Sequence, residues 1–287
     1  MMEKTLIKSI QERIAHIRPW TSPLWHQRYV LFSAHLGLAF PQVTPQKHLE
    51  WFHRLLLNQQ LMLAEEDGSY LHEIQWEGPL DELLTVLNTR PSIICTFHTG
   101  SYRLLNHFLL QHCTLPHSLL VSKEVDESER PDFGHKLQEM NLPARSAPQT
   151  IVADHPQSAL KIMRSLPAGR HLLAYLDGNI GAAHGPLARD TRLELRFLGL
   201  PIRVRVGLAY LAHRAGVPLI CIIAHRISDQ TNCMRIVRII PDPKLLHSDP
   251  TDFARHATAD MYRNLEKLLV NEPWQWDMWF HFRENLI

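Results

Sequence analysis

The sequence lacks the charge excess and the cysteine pairs that mark two large classes of protein. Its 30 Lys and Arg face 29 Asp and Glu, for a formal net charge of +1, whereas a protein that neutralises many phosphates carries a clear cationic excess. Only four cysteines occur in 287 residues, and two of them lie in apolar runs, as reduced core thiols do. We therefore expect no nucleic-acid partner, no disulfide framework and a cytoplasmic location.

Long apolar runs are also missing. The most apolar early stretch, residues 29–40, is interrupted by Ser33 and His35 and falls short of the roughly 20 residues that span a bilayer. The N-terminal residues lack the apolar core of a signal peptide. We predict no transmembrane helix, with peripheral contact at the inner face of the membrane as an alternative.

Several motifs of catalysis and metal binding are absent. The chain contains no G-x-S-x-G elbow, no G-x-x-x-x-G-K-[ST] loop and no G-x-G-x-x-G fingerprint, which removes the usual support for a hydrolase, an NTPase or a dinucleotide-binding protein. The 19 histidines are scattered, without the spacing of H-E-x-x-H or C-x-x-C. We therefore predict no metal site.

What the sequence does have is a change of hydrophobic period near residue 88. Before it, apolar residues follow helical spacing; after Pro91, short apolar runs alternate with helical segments, which is typical of an α/β domain. We predict an α/β fold with a central, mostly parallel or mixed sheet flanked by helices, in which residues 1–88 form a helical cap packed on an α/β domain at 89–287 as one structural unit. The predicted strands are 92–97, 117–122, a short one near Arg145, 171–177, 193–199, 218–226 and 234–240, and the predicted helices after residue 100 are 102–112, 133–140, 155–165, 205–216 and 251–270.

His98 directly follows the predicted strand 92–97 and precedes a helix that we expect to start near Ser101. Ligands of parallel sheets bind beyond the carboxyl ends of the strands, and an imidazole there can act as a general base. The backbone N–H groups of Gly100 and Ser101, at the helix N-terminus, are candidates for stabilising an oxyanion. A histidine that only caps the turn is the alternative.

Asp177 ends another predicted strand, 171–177, and is followed by a loop with Gly178 and Gly181. The glycines give this loop freedom to approach a ligand, which makes Asp177 a second candidate. An Asp before a Gly is also ordinary turn chemistry.

Four blocks of the chain together resemble the lysophospholipid acyltransferase superfamily, and within it the late acyltransferases of lipid A biosynthesis, the lauroyl and myristoyl acyltransferases. In order, they are ICTFHTGSYRLLNHFL, AYLDGNIG, RFLGLPIRVRVGLAYLAHRAGVPLICIIAHR and EPWQWDMWFHFR. The resemblance implies a glycerolipid acyltransferase-like fold and transfer of an acyl group from a thioester, on coenzyme A or phosphopantetheine-linked acyl carrier protein, to a hydroxyl or amine. No other cofactor is implied.

By the same resemblance His98 corresponds to the general base, which deprotonates the acceptor with no covalent acyl-enzyme, and Asp177 to the acid at the second strand end. Gly100 and Ser101 would shape the oxyanion site. The residues expected to contact substrate are Tyr102, Arg103, Gly178, Asn179 and Arg196.

The chain departs from the family in two ways. The family places an acid five residues after the histidine, where this sequence has Arg103, and no acid occurs from 99 to 106. Asp177 substitutes for it, or a backbone carbonyl does, or the protein has lost the reaction and only binds an acyl group or its carrier. The apolar N-terminal membrane helix of the lipid A enzymes is also missing, which favours a small soluble amine or alcohol acceptor, as in specialised metabolism, over a membrane lipid.

Three further patterns have two interpretations each. The helix at 5–17 has an apolar stripe that either docks on the domain, as we expect, or anchors the protein to a membrane surface. Trp274, Trp276 and Trp279 are expected in the core, with an acyl tunnel as the alternative. A basic stretch is either an exposed strand face or a site for a phosphate or an acidic carrier protein; it comprises Arg189, Arg192, Arg196, Arg203 and Arg205.

Overall fold

The computed structural model describes residues 2–65, 74–122, 148–178 and 192–287. The helix and short strand predicted within 123–147 lie outside the described residues, as do Asn179, Gly181 and Arg189.

The described helices and strands, in chain order, are α1 (Met2–Ala15), α2 (Pro23–Ala39), α3 (Pro45–Ala64), β1 (Gln75–Glu77), α4 (Leu80–Thr89), β2 (Ile93–Thr96), α5 (Leu104–His112), β3 (His117–Val121), β4 (Gln149–Val152), α6 (Ser158–Ser165), β5 (His171–Tyr175), β6 (Arg192–Phe197), β7 (Leu200–Arg205), α7 (Gly207–Ala215), β8 (Leu219–Ser228), β9 (Thr231–Ile240), α8 (Pro243–Leu246) and α9 (Pro250–Asn271). Short 3₁₀ turns follow at Pro273–Gln275, Asp277–Phe280 and Phe282–Asn285.

Seven strands form one mixed sheet in the order β1-β9-β8-β2-β5-β3-β4. The five strands from β8 to β4 run parallel, β9 pairs antiparallel with β8, and β1 runs parallel to β9. β6 and β7 form a separate antiparallel pair. The predicted class, α/β with a mixed sheet and flanking helices, is therefore confirmed.

Helices cover both faces of the sheet, and strand β2 is buried throughout as a result. Its side chains alternate between the two faces, so Ile93 and Cys95 belong to one core, with residues of α1–α3, α7 and α9. Ile94 belongs to the opposite core, with residues of α4 and α5. A central parallel strand covered on both faces reads as a continuous apolar run, which is why the sequence revealed it.

The prediction that residues 1–88 are helical throughout is wrong for residues 75–77, which form the edge strand β1. The helical spacing at 5–17 and after Pro45 corresponds to α1 and α3. Helix α1 docks on the protein: Ile10 and Ile14 are only 2% and 7% exposed. The side chains of Trp274, Trp276 and Trp279 are buried in the core, as expected. None of the described helices is long and apolar enough to cross a bilayer.

Candidate active site

The carboxyl ends of β2 and β5 bring His98 and Asp177 together. The two strands are parallel neighbours, and Thr96 lies opposite Tyr175 in their register. His98 stands two residues beyond Thr96, and Asp177 stands two residues beyond Tyr175. The same sheet edge therefore presents both of the groups that the sequence singled out.

Asp177 holds His98 by two separate contacts. Its Oδ1 lies 2.8 Å from the ring Nδ1 of His98, and its Oδ2 accepts the backbone N–H of His98 at 3.0 Å. The indole N–H of Trp276 donates to the same Oδ2 at 2.7 Å. Because a carboxylate only accepts hydrogen bonds, the proton of the neutral ring resides on Nδ1, and Nε2 carries a free electron pair.

Aromatic rings fix the plane of the His98 ring. It stacks on Tyr175 with centroids 4.6 Å apart and meets the edge of Tyr102 at 4.8 Å. Its side chain remains 21% exposed, and within the described residues Nε2 forms no hydrogen bond. A Cβ atom on Gly178 would lie 3.4 Å from Cε1 of His98, so the glycine keeps the edge of the ring accessible.

Charges around His98 set its proton affinity. Burial alone lowers the pKa of His98, but the charge and hydrogen bond of Asp177 outweigh burial, Asp277 adds to them, and the pKa ends above its usual value. Arg103 acts in the opposite direction and is the smallest of these influences. The cation at the position of the missing family acid therefore does not cancel the effect of the carboxylates.

A second acidic group, which sequence reasoning missed, completes the site. The backbone N–H of Asp277 donates to the carbonyl of His98 at 2.9 Å, and its partly buried carboxylate accepts a long hydrogen bond from Gln59 at 3.4 Å. Burial raises the pKa of Asp277 to about 7, against the opposing effects of His98, Gln59 and Arg103. Near neutral pH this carboxyl group therefore exists in both protonation states.

Gly100, whose backbone N–H is a candidate oxyanion donor, has a structural role in the turn after His98. Its backbone N–H already donates to the carbonyl of Gln275 at 3.0 Å. Its φ is +53°, and a Cβ atom there would lie 2.6 Å from Cα of His225. Glycine is required here because β8 passes so close and because the backbone is left-handed.

Ser101 also has a structural role. Its side chain is buried, and its hydroxyl donates to Glu65 and accepts from Arg226, both at 2.5 Å. The helix expected near Ser101 begins at Leu104, after a turn at 101–103. The Ser101 side chain is therefore turned into the protein, toward these two residues.

Glu65 and Arg226 form a buried ion pair behind this turn. Two nitrogens of the guanidinium donate to the two carboxylate oxygens of Glu65 at 2.9 and 2.8 Å, and Nε donates to Asn58 at 3.0 Å. Arg226 is 1% exposed. Since Ser101 hydrogen-bonds to both members of the pair, this pair fixes the segment that follows His98.

The other residues predicted to contact substrate lie in two places, around the His98 ring and on the β6–β7 hairpin. Arg103 hydrogen-bonds to the hydroxyl of Tyr102 and acts electrostatically on His98 and Asp277. Arg196 is exposed on the β6–β7 hairpin, where its Nε donates to the carbonyl of Gly199 at 3.1 Å. The structure thus assembles Tyr102, Arg103 and Gly178 around His98, and gives Arg196 a partner within its own hairpin.

No known family model matches this chain, and a search of curated proteins finds no significant relative. The likeness to the lysophospholipid acyltransferases therefore depends on the four sequence blocks themselves.

Proposed function

We propose that the protein is an acyltransferase in which His98 acts as the general base and Asp177 orients it. The observation that carries the proposal is the 2.8 Å contact between Nδ1 of His98 and Oδ1 of Asp177. A base needs an available nitrogen, a fixed tautomer and access to the acceptor. The hydrogen bond supplies the first two, and the exposed part of the ring supplies the third.

The donor that we propose is an acyl thioester on coenzyme A or on acyl carrier protein, and the acceptor is a hydroxyl or an amine. Nε2 of His98 takes the proton of the acceptor hydroxyl or amine. At the same time the acceptor oxygen or nitrogen bonds to the carbonyl carbon of the thioester. The C–S bond then breaks, and the thiolate recovers the proton from the imidazolium. Thioesters are already activated, so positioning and one base are sufficient, and no acyl-enzyme forms.

We infer that Asp177 replaces the acid that the resembled family carries at the position of Arg103. An acid that orients the base need not follow it in sequence, because what matters is a carboxylate at Nδ1. Asp177 occupies that position from the neighbouring strand, with a side chain that is 1% exposed. Its other oxygen is held by Trp276, so it is fixed relative to the ring.

The test is incubation of the purified protein with a panel of acyl-coenzyme A and acyl carrier protein thioesters of different chain lengths and a mixture of small amines and alcohols. Mass spectrometry would detect the acylated acceptor and the released thiol. We expect His98→Ala to reduce turnover roughly 10²–10⁴-fold. The matched control is His26→Ala, at an exposed position of α2, which should leave turnover unchanged.

Unchanged turnover in His98→Ala would overturn the proposal. A wild-type protein that consumes no thioester, yet is stabilised against heat by an acyl carrier, would instead identify a non-catalytic binding protein, the alternative that Arg103 favours.

A further inference from the structure

Three neighbouring strands place potential metal ligands on one face of the sheet. His225 of β8 lies directly opposite Cys233 of β9, and Cys233 lies opposite Gln75 of β1. Glu77 is two residues beyond Gln75, so its side chain points to the same face. Residues that are 148 positions apart are thereby brought side by side (225 − 77 = 148).

The donor atoms of these three residues converge. One oxygen of Glu77, the ring of His225 and the sulfur of Cys233 each offer an atom within 4.8 Å of the others. Nε2 of His225 is 3.9 Å from Oε1 of Glu77, and the thiol of Cys233 hydrogen-bonds to the same carboxylate. The second oxygen of Glu77 accepts from Nε of Arg235 at 2.5 Å, which orients the carboxylate.

His225 has a buried ring without a hydrogen bond. Its side chain is 7% exposed, Nδ1 has no partner, and within the described residues Nε2 has only the long contact with Glu77. An unsatisfied buried polar group is costly, and such groups in native proteins often mark an ion or a ligand. Nε2, the ring nitrogen nearest to Glu77, therefore has no close hydrogen-bond partner within the described residues and is available to a ligand.

We propose that Glu77, His225 and Cys233 bind a divalent transition-metal ion, with Zn²⁺ as the best fit. Imidazole, thiolate and carboxylate are the three ligand types of protein zinc sites, with bonds of roughly 2.0–2.3 Å. The Glu77 side chain is 45% exposed, so it can move the short distance needed and gives the ion a path from solvent. Water completes a tetrahedron on that side.

The charges balance when the ion binds. Binding replaces the S–H bond of Cys233 by a metal–sulfur bond and releases one proton to solvent. A neutral imidazole, a thiolate and a carboxylate around a dication then have no net charge, which suits a largely buried position.

The proposed metal would fasten the edge of the sheet. Strand β1 has three residues and pairs only with β9 within the described sheet, so it has few hydrogen bonds of its own. An ion shared by β1, β9 and β8 would join all three. The acyl-transfer proposal uses none of these ligands, and the two proposals fail or succeed separately.

The test is titration of the chelator-treated full-length protein with Co²⁺, followed by displacement with Zn²⁺. A thiolate ligand produces a sulfur-to-cobalt charge-transfer band in the near ultraviolet, and tetrahedral Co²⁺ absorbs in the visible. We expect one equivalent to bind with both signals, the charge-transfer band to be absent in Cys233→Ser, and affinity to fall at least roughly tenfold in Glu77→Gln. Cys113→Ser is the matched control and should retain both signals.

Absence of the charge-transfer band in the wild-type protein would overturn the proposal, as would its survival in Cys233→Ser or unchanged affinity in Glu77→Gln. If Cys233→Ser does not fold, the wild-type titration and Glu77→Gln decide, since Glu77 is partly exposed.

Discussion

Trp276 donates its indole N–H to the carboxylate of Asp177 at 2.7 Å, on the oxygen next to the one that meets the His98 ring. Both residues are buried. A tryptophan near residue 276 thus contributes to the site through the carboxylate that contacts the His98 ring.

Replacing Trp276 by Phe keeps most of the ring and removes the donor. A hydrogen bond to a charged group contributes about 1.5–3 kcal/mol, so we expect the free energy of unfolding in urea to fall by about that amount. Trp20→Phe, at a side chain that is 66% exposed, should change it by less than about 0.5 kcal/mol. Equal effects of the two variants would contradict the role of the indole N–H.

Asp177→Asn tests the orientation of His98. The amide can donate to Nδ1, which moves the ring proton to Nε2 and removes the base, so we expect kcat/KM to fall roughly 10²–10⁴-fold in the thioester assay. Because the Asp177 carboxylate raises the pKa of His98, the residual activity should rise with pH at a lower midpoint than in the wild type. Asp81→Asn, at an exposed position in α4, is the control. A midpoint that does not move would show that Asp177 does not control the ring.

Gly100→Ala should damage the protein for two reasons, backbone strain and overlap with β8. Gly199→Ala isolates the first, because Gly199 has φ of +78° and no atom within 4 Å of an added Cβ. We expect Gly199→Ala to cost about 1 kcal/mol of unfolding free energy and Gly100→Ala to cost a further 1–3 kcal/mol, roughly, for overpacking. Thermal unfolding of the two variants side by side measures the difference. Similar losses would mean that β8 yields to the new methyl group.

The buried pair Glu65–Arg226 should show strong coupling. Glu65→Gln leaves a buried guanidinium without its counter-charge, and we expect a loss of about 3–5 kcal/mol in unfolding free energy. The double replacement Glu65→Leu with Arg226→Met should recover much of that loss, since no charge remains buried. The exposed pair of Arg203 and Glu194 should give a coupling of only about 0.2–1 kcal/mol. Additive losses in the buried pair would contradict this account.

Two buried histidines should make the fold sensitive to acid. Burial lowers the pKa of His117 to about 3 and that of His171 to about 4, so both rings are neutral in the folded protein. Their contribution is complete above the unfolded pKa near 6.5 and is lost as the pH falls, at up to about 1.4 kcal/mol per pH unit for each ring.

Urea unfolding at a series of pH values from 7.5 to 4 measures this loss. His171→Asn should reduce the slope below pH 6.5, because its amide oxygen can replace Nδ1 as the acceptor for Ser92 and does not titrate. His98 contributes with the opposite sign. Because its pKa is raised in the folded protein, it stabilises the fold at low pH, and this stabilisation is lost as the pH rises. An unchanged slope in His171→Asn would assign the acid sensitivity elsewhere.

Much of the described sheet could be predicted because its central strands are apolar on both faces. The apolar runs at 92–97 and 171–177 predict strands. The ends of these two predicted strands make His98 and Asp177 candidates. Their contact is one of three alternatives that the sequence leaves open, and it requires the two strands to be neighbours in the sheet. In the structure they are neighbours.

The edge of the sheet gave no such pattern. β1 has only three residues, and the alternation of its side chains is too short to separate from a loop. β7 contains Pro201, which disfavours a strand except at an edge, although it forms a hairpin with β6 through a short turn. β1 forms because of β9, a neighbour that is remote in sequence. Local patterns therefore revealed neither strand.

Sequence reasoning also missed three residues in and around the site, because the contacts that they make are remote in sequence. Glu65 and Arg226 are 161 positions apart, and nothing in either local sequence indicates the other. Asp277 lies between two tryptophans that looked like core residues, which drew attention away from the acid between them. An acidic residue within an otherwise apolar, aromatic segment was the one available sign.

Residues 275–277, which contact Asp177 and the turn at His98 and Gly100, are translated long after that turn. The ribosome releases β2 and β5, with His98 and Asp177, well before residues 275–277 emerge to supply the Gln275 carbonyl, the Trp276 indole and the Asp277 amide. A nonsense codon at position 274 would spare all seven strands of the described sheet and leave the turn after His98 without these contacts. We therefore expect nascent chains to complete these contacts around His98 and Asp177 only after translation has passed residue 277.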